Sequence, residues 1–321
     1  MSLFIVTALT AALTLGGDAP AAKGDGCCKA GGCPVAAKVT ELLTSWKDAT
    51  EAAKAVPAAD REKMAARMAA LASDCPIGKR LSPTLVASRD LLGYFAQCAE
   101  TCSKDCPIAK ATDEQKKMPA FQAAQELMAA NTKMIKELHQ LATYATSCSS
   151  DAKAGCDKAK AAGGSMQSMV GEGEGCSAGA KAADCAKQCP KELATRLATL
   201  KTSWSTVGAE LAAMPVAKKE ELHKAFMEMS TSCKSMALMP STVSALADGF
   251  DALDAMHAKF GEWAQANPTV MAGVSEEAKK TCEANYALLR DMRAIMRQSA
   301  TVMGGGDCSK EPSKGATAGT K

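Results

Sequence analysis

The sequence predicts an all-α protein made of two tandem, duplicated up-down four-helix bundles that a Gly-rich linker joins. Ala is abundant and Val and Ile are sparse, and aromatic residues make up only 4% of the chain. This composition favours helix over sheet. Apolar residues recur at alternating spacings of three and four, which is the period of one helix face. The same pattern occurs twice along the 321 residues.

The repeat is visible when the chain is compared with itself at an offset of 158 residues. Identical residues then coincide: Trp46 with Trp204, Pro57 with Pro215, Cys75 with Cys233 and Thr84 with Thr242. In the fourth helix the offset falls to 154, where Asn131 matches Asn285. We define repeat 1 as residues 35–148 and repeat 2 as residues 191–303. Each is expected to fold as its own bundle, and one interleaved eight-helix core is the alternative.

Each predicted helix has its own local justification. The apolar face of the first helix has the same spacing in both repeats: Val35, Val39, Leu42, Trp46, Ala49 and Ala53, matched by Leu193, Leu197, Leu200, Trp204, Val207 and Leu211. A proline then ends this helix and suits the first turn of the second. The third helix is expected to begin at Ser82-Pro83 and at Pro240-Ser241. The fourth carries an Asn on its apolar face in both repeats, which would fix the helix register.

The segments outside the repeats carry separate predictions. Residues 1–21 combine an apolar stretch with the small residues Ala19-Pro20-Ala21, a pattern typical of a signal peptide; a buried strand is the alternative. Residues 22–34 form a Cys-rich arm, residues 149–190 a Gly- and Cys-containing linker, and residues 304–321 a disordered tail. No segment after the signal is apolar enough to span a bilayer. We therefore expect an exported protein, either periplasmic or extracellular.

Export would place the 15 Cys residues in an oxidising compartment, where disulfides are the usual state. Most of them lie where the first helix of each bundle begins or in segments that leave that end. Disulfides are therefore expected to staple the arm, linker and tail onto the bundles. The candidate pairs are Cys33 with Cys75 or Cys148, and Cys189 with Cys233 or Cys308. Because the number is odd, at least one thiol stays free or bonds to another chain.

Cys98, Cys102 and Cys106 are spaced by four, which places their sulfurs on one helix face. Thiolates are soft ligands that suit Cu(I). Over these nine residues the chain resembles the Cys-x3-Cys helices of the four-helix-bundle copper-storage proteins, in which cysteines line the core and hold Cu(I). The resemblance implies that the three cysteines are metal ligands. In repeat 2, Met256 and Phe260 replace the first two, and the alternative is that Cys98 and Cys102 are small core residues.

Other kinds of chemistry find no support in the sequence. The three His residues are isolated, and neither Gly-rich nucleotide-binding motif occurs. The 38 basic and 35 acidic residues are interspersed, which argues against nucleic-acid binding. We therefore expect no catalytic residue and no cofactor. The predicted role is structural or in binding a protein or surface partner, with Cu(I) binding or storage as the alternative.

Overall fold

The computed structural model describes residues 34–105, 112–147, 182–268 and 274–304, and every regular element in these ranges is helical. The helices are α1 (Pro34–Ala55), α2 (Ala58–Asp74), α3 (Pro76–Asp105), α4 (Asp113–Lys116), α5 (Pro119–Ser147), α6 (Ala182–Ser205), α7 (Val207–Ala213), α8 (Val216–Ser232), α9 (Lys234–Ala266) and α10 (Glu276–Gly304). The all-α prediction is confirmed. Within the described ranges, no helix combines the length and apolar character needed to cross a bilayer.

The predicted end segments fall mainly outside the described residues. The signal peptide (1–21) lies outside them, as do the arm except for Pro34, residues 149–181 of the linker and residues 305–321 of the tail. The last part of the predicted linker, from Ala182 onward, instead belongs to α6. The first helix of repeat 2 is therefore longer at its N-terminus than the apolar periodicity predicts.

Two prolines lie at helix boundaries as predicted, and two others lie inside helices. Pro57 separates α1 from α2, and Pro215 separates α7 from α8; each proline directly precedes the new helix. Pro83 and Pro240 lie inside α3 and α9. The third helices therefore begin about two turns earlier than predicted. An interior proline removes one helical hydrogen bond, and the burial of the turns that follow it offsets this loss.

The two repeats do not close two separate cores. The first helix of each repeat packs against the third helix of the other, because α1 contacts α9 and α6 contacts α3. It also packs on the fourth helix of its own repeat, α5 or α10. The largest cluster of buried apolar residues draws on both repeats, from Val39 to Met296. The prediction of two tandem bundles is not confirmed, and the described helices interleave around one shared core.

Matched hydrogen bonds show that each repeat packs its first helix against the other repeat in the same way. The Trp46 indole N–H donates to Thr242 Oγ1 at 2.8 Å, and the Trp204 indole N–H donates to Thr84 Oγ1, also at 2.8 Å. All four side chains are fully buried. Two ion pairs at matched positions follow the same rule: Lys38 with Asp248 at 3.1 Å and Arg196 with Asp90 at 2.8 Å. An approximate two-fold relation therefore connects the repeats.

Gly249 makes the packing of α5 on α9 closer than the packing of the matched helices α10 and α3. A Cβ atom at Gly249 in α9 would lie 2.4 Å from Leu138 Cδ2 in α5, a distance that no methyl group tolerates. The matched residue in repeat 1 is Leu91, which fills the equivalent space in α3. Accordingly, α5 contacts α9 more extensively than α10 contacts α3. One glycine thus departs from the two-fold relation and lets two central helices pack closely.

The second helices lie at the periphery. No residue of α2 is fully buried, and in α8 only Leu222 and Met229 are. Each second helix packs on the third helix of its own repeat, and α2 and α8 also contact each other. The apolar faces of these helices are therefore only partly covered. The first helices behave differently, since Trp46 and Trp204 are confirmed as fully buried core residues.

Candidate functional site

The structure describes only part of the predicted metal site. Cys98 lies in α3, partly buried, and packs against the main core. Cys102 follows in the same helix but its side chain is not described, and Cys106 lies outside the described residues. Among the described residues, no group of three or more His, Cys, Asp or Glu side chains is arranged to hold a metal ion. A Cu(I) site at these cysteines stays a prediction.

Two further cysteines lie at equivalent helix ends. Cys75 follows α2 and Cys233 follows α8, and each caps its helix through its backbone N–H, which donates to a carbonyl one turn earlier. Both are partly exposed free thiols. Their candidate partners fall outside the described residues or, for Cys189, in a helical segment whose side chains are not described. The predicted disulfides are not shown and remain a prediction.

An open groove of about 530 Å³ lies between α3 and α5 of repeat 1, and we call it the α3/α5 groove. Its lining includes Ala99, Met128, Thr132, Lys133, Lys136 and Glu137. Ala99 is buried at its floor, and Met128 packs partly buried against the small apolar cluster around Phe121 and Phe260. The groove therefore has an apolar floor that continues into the folded core.

Charged side chains form the rim of the groove. Lys136 Nζ lies 3.0 Å from Glu100 Oε1, and Lys133 Nζ lies 3.8 Å from Glu137 Oε1. Glu137 Oε2 is buried and has no hydrogen-bond partner among the described residues. A buried carboxylate oxygen without a donor is unfavourable. The rim of the groove thus carries two lysine ammonium groups, each beside a carboxylate.

In repeat 2, aromatic residues stand at two positions that match residues lining the groove. The repeat alignment carries Ala99 onto His257 and Thr132 onto Tyr286. The rings of His257 and Tyr286 stack with their centroids 3.9 Å apart and their planes 26° from parallel. The Arg290 guanidinium lies 5.4 Å from the Tyr286 ring centroid, within the range of a cation–π interaction. By the repeat alignment, the aromatic pair of repeat 2 therefore stands at the positions that Ala99 and Thr132 hold beside the groove in repeat 1.

Acidic residues surround this aromatic pair. Burial, reinforced by the neighbouring Asp254 carboxylate, raises the pKa of the Tyr286 hydroxyl to about 12. Arg293 ties the same region together, since it pairs with Asp251 and with Asp254 at 2.6 Å each. A hydrogen bond with Asp251 is the main cause that raises the pKa of Arg293. In repeat 2, stacked rings and ion pairs thus occupy this region.

Repeat 1 lacks counterparts of the Asp251–Arg293 ion pair as well as of the two stacked rings. Gly93 and His139 stand at the positions of Asp251 and Arg293. A Cβ atom at Gly93 would lie only 3.1 Å from His139 Nε2, so the glycine makes room for the imidazole. Burial, followed by the nearby Arg89 charge, lowers the pKa of His139 below its ordinary 6.5. A neutral side chain therefore packs where repeat 2 has a charged pair.

No protein-family model matches the chain, and no curated protein or solved structure is significantly similar to it. Repeat 2 is therefore the comparison that informs the groove. The groove is absent from the sequence-based predictions, which concentrated on cysteines. Its signal was nevertheless present in the aligned repeats, because replacing His and Tyr by Ala and Thr at adjoining positions removes two ring volumes.

Proposed function

We propose that this chain is an exported, non-enzymatic helical protein with a structural or partner-binding role, whose arm, linker and tail are held to the helical core by disulfides. The observation that supports the structural role is the interlocked core. Trp46 bonds to Thr242 across the repeats, and the Tyr94 hydroxyl donates to Asn285 Oδ1 at 3.1 Å. These buried polar groups hold helices together, and the open α3/α5 groove provides a surface for a partner.

The positions of two thiols support the disulfide part of the proposal. Cys75 and Cys233 lie at matched helix ends and are partly exposed, so a cysteine from a neighbouring chain segment can reach either sulfur. A disulfide at these positions would tie a long segment to the core and reduce the entropy of the unfolded chain. Export supplies the oxidising compartment in which such bonds persist.

The test begins with the full chain expressed with its own N-terminus. We expect the mature protein outside the cytoplasm, with a new N-terminus close to residue 22. Thiols are then counted on protein unfolded without reductant, and bound metal is measured on the same sample. Few reactive thiols and little copper are expected, and a fully reduced sample sets the maximum count.

The copper alternative makes the opposite prediction for the same sample. Most cysteines would react as thiols and several Cu(I) ions would be bound, with release of thiol protons on binding. The double variant Cys98→Ala/Cys102→Ala would then lower the copper stoichiometry. If the mature protein shows these properties, the disulfide-stapled role is wrong and copper binding replaces it.

A further inference from the structure

We propose that the surface through which the two repeats pack is also a self-association surface, on which repeat 1 of one copy of the chain binds repeat 2 of a second copy. This inference rests on the proposed structural or partner-binding role and names the partner. In the structure, α1 packs on α9 and α6 packs on α3, so each repeat already presents a complete surface to the other. Because an approximate two-fold relates the repeats, their packing has the geometry of a symmetric dimer.

A largely buried charge contact is specific to the combination of repeat 1 with repeat 2. Arg80 of α3 donates to the Ser203 carbonyl at 2.9 Å and lies 2.5 Å from the Glu210 carboxylate of α7. Only 14% of the Arg80 side chain is exposed. The matched residues are Leu238 and Ala52, which carry no charge. Two copies of repeat 1 packed together would leave Arg80 opposite an alanine, and two copies of repeat 2 would leave Glu210 opposite a leucine.

The close approach at Gly249 selects the same combination. Gly249 of repeat 2 lies against Leu138 of repeat 1, at a spacing where even one added Cβ atom would clash with the leucine. In a pair formed by two copies of repeat 1, Leu138 would meet Leu91 instead, and a leucine does not fit at this spacing. Interfaces become specific by combining a good fit to one partner with steric rejection of others. The partner of repeat 1 is therefore a repeat 2 surface, which a second copy of the chain supplies.

The connection between the repeats does not determine which copy supplies repeat 2. Residues 148–181 join α5 to α6 and lie outside the described ranges, and none of the contacts between the repeats named above involves them. A stretch of this length reaches up to roughly 110 Å when extended, so it does not force the repeats of one chain onto each other. It does raise the effective concentration of the chain's own repeat 2 to about 1 mM. The closed monomer therefore dominates in dilute solution, and exchange between copies competes as the protein concentration approaches that value.

The test uses two full-length variants, Arg80→Glu and Glu210→Arg, each of which places like charges together within its own chain. In an exchanged dimer of one variant with the other, one interface joins the two substituted side chains and the other joins unmodified Arg80 and Glu210. Both contacts then pair opposite charges. The variants are unfolded in urea with reductant and refolded together at about 0.1 mM, a tenth of the effective concentration. We expect native mass spectrometry to show mainly the heterodimer in the mixture and little dimer for either variant alone.

Two controls connect the dimer to the exchange of repeats. The double variant Arg80→Glu/Glu210→Arg restores opposite charges within one chain and should be as monomeric as the unmodified protein. Lys201 and Asp291 pair at 3.1 Å within repeat 2, so mixing Lys201→Glu with Asp291→Lys restores no contact and should add no heterodimer. The unmodified protein gives a second readout if the variants do not fold: after refolding at about 0.1 mM, roughly a tenth of its chains should be dimeric, against almost none at much higher dilution.

The inference is overturned if the folded fraction of the mixture holds no more dimer than each variant alone, if Arg80→Glu dimerises by itself, or if the unmodified protein stays entirely monomeric at about 0.1 mM. The reductant excludes a disulfide between chains as the cause of a dimer. The measurements of export, thiols and copper do not depend on the exchange of repeats. A protein that is exported with few thiols but forms no heterodimer would therefore refute this inference alone.

Discussion

Replacing Trp46 by Phe and Thr242 by Val, separately and together, tests whether the two repeats share one core. The Trp46 indole N–H donates to Thr242 Oγ1 at 2.8 Å, and both side chains are fully buried. Trp46→Phe removes the donor and keeps an aromatic ring. Thr242→Val removes the acceptor and preserves the shape of the side chain. A contact between the repeats should therefore appear as an energetic coupling between the two changes.

The size of the coupling follows from the buried indole. In the Thr242→Val variant the Trp46 N–H has lost its acceptor, which costs about 1–3 kcal/mol. In the Trp46→Phe background there is no N–H to leave unpaired, so this cost disappears. The Thr242 hydroxyl also donates to the Leu238 carbonyl at 2.8 Å in its own helix, and loss of that bond is common to both backgrounds. We expect the double variant to be less destabilised than the sum by about 1–2 kcal/mol.

The assay is urea unfolding of the full-length protein, followed by far-UV circular dichroism. The control pairs Trp46→Phe with Thr84→Val, the matched threonine of the same repeat. In the shared core Thr84 accepts from Trp204 instead, so the coupling of Trp46 with Thr84 should be close to zero. In two closed bundles the result would be reversed. A larger coupling for Trp46 with Thr84 than for Trp46 with Thr242 would refute the interleaved core.

Three other outcomes are expected. Gly249→Ala should destabilise the protein by about 1–3 kcal/mol through its clash with Leu138, and Leu138→Ala should reduce that extra cost in a double-mutant cycle measured by urea unfolding. Because the pKa of His139 is lowered in the folded state, the unfolded state binds its proton more readily. Stability should therefore fall as the pH drops below about 6.5, more steeply than in His139→Gln, when unfolding is measured from pH 8 to 5. In the reduced, native protein, mass-spectrometric alkylation should label the partly exposed Cys75 well before the buried Cys282; equal labelling rates would contradict the burial of Cys282.

The groove illustrates a limit of sequence analysis at the level of a site. Aligning the repeats shows that Ala99 and Thr132 stand where repeat 2 has His257 and Tyr286. That loss of volume can be closed by neighbouring side chains or left open, and the packing of whole helices determines which occurs. The structure shows that it stays open and that a buried oxygen of Glu137 lies beside it. Neither fact is contained in the residue pattern.

Helical periodicity was sufficient to predict most of the local structure. The alternating spacing around Trp46 and Trp204 identified the buried face of each first helix, and both residues are fully buried. Pro57 and Pro215 marked two helix boundaries correctly, since proline disfavours continuation of the preceding helix. These features depend on neighbours along the chain, and such short-range effects can be read from one sequence.

The sequence pattern did not determine which helices pack against each other. Because Thr84 and Thr242 are the same residue at matched positions, Trp46 finds an identical partner in its own repeat and in the other. Apolar faces of equal spacing can likewise close two bundles or exchange helices between them. Periodicity states which face is buried but not what covers it. The choice comes from long-range packing, including the close approach of Leu138 to Gly249 that joins the two repeats, and such contacts leave no periodic signal in the sequence.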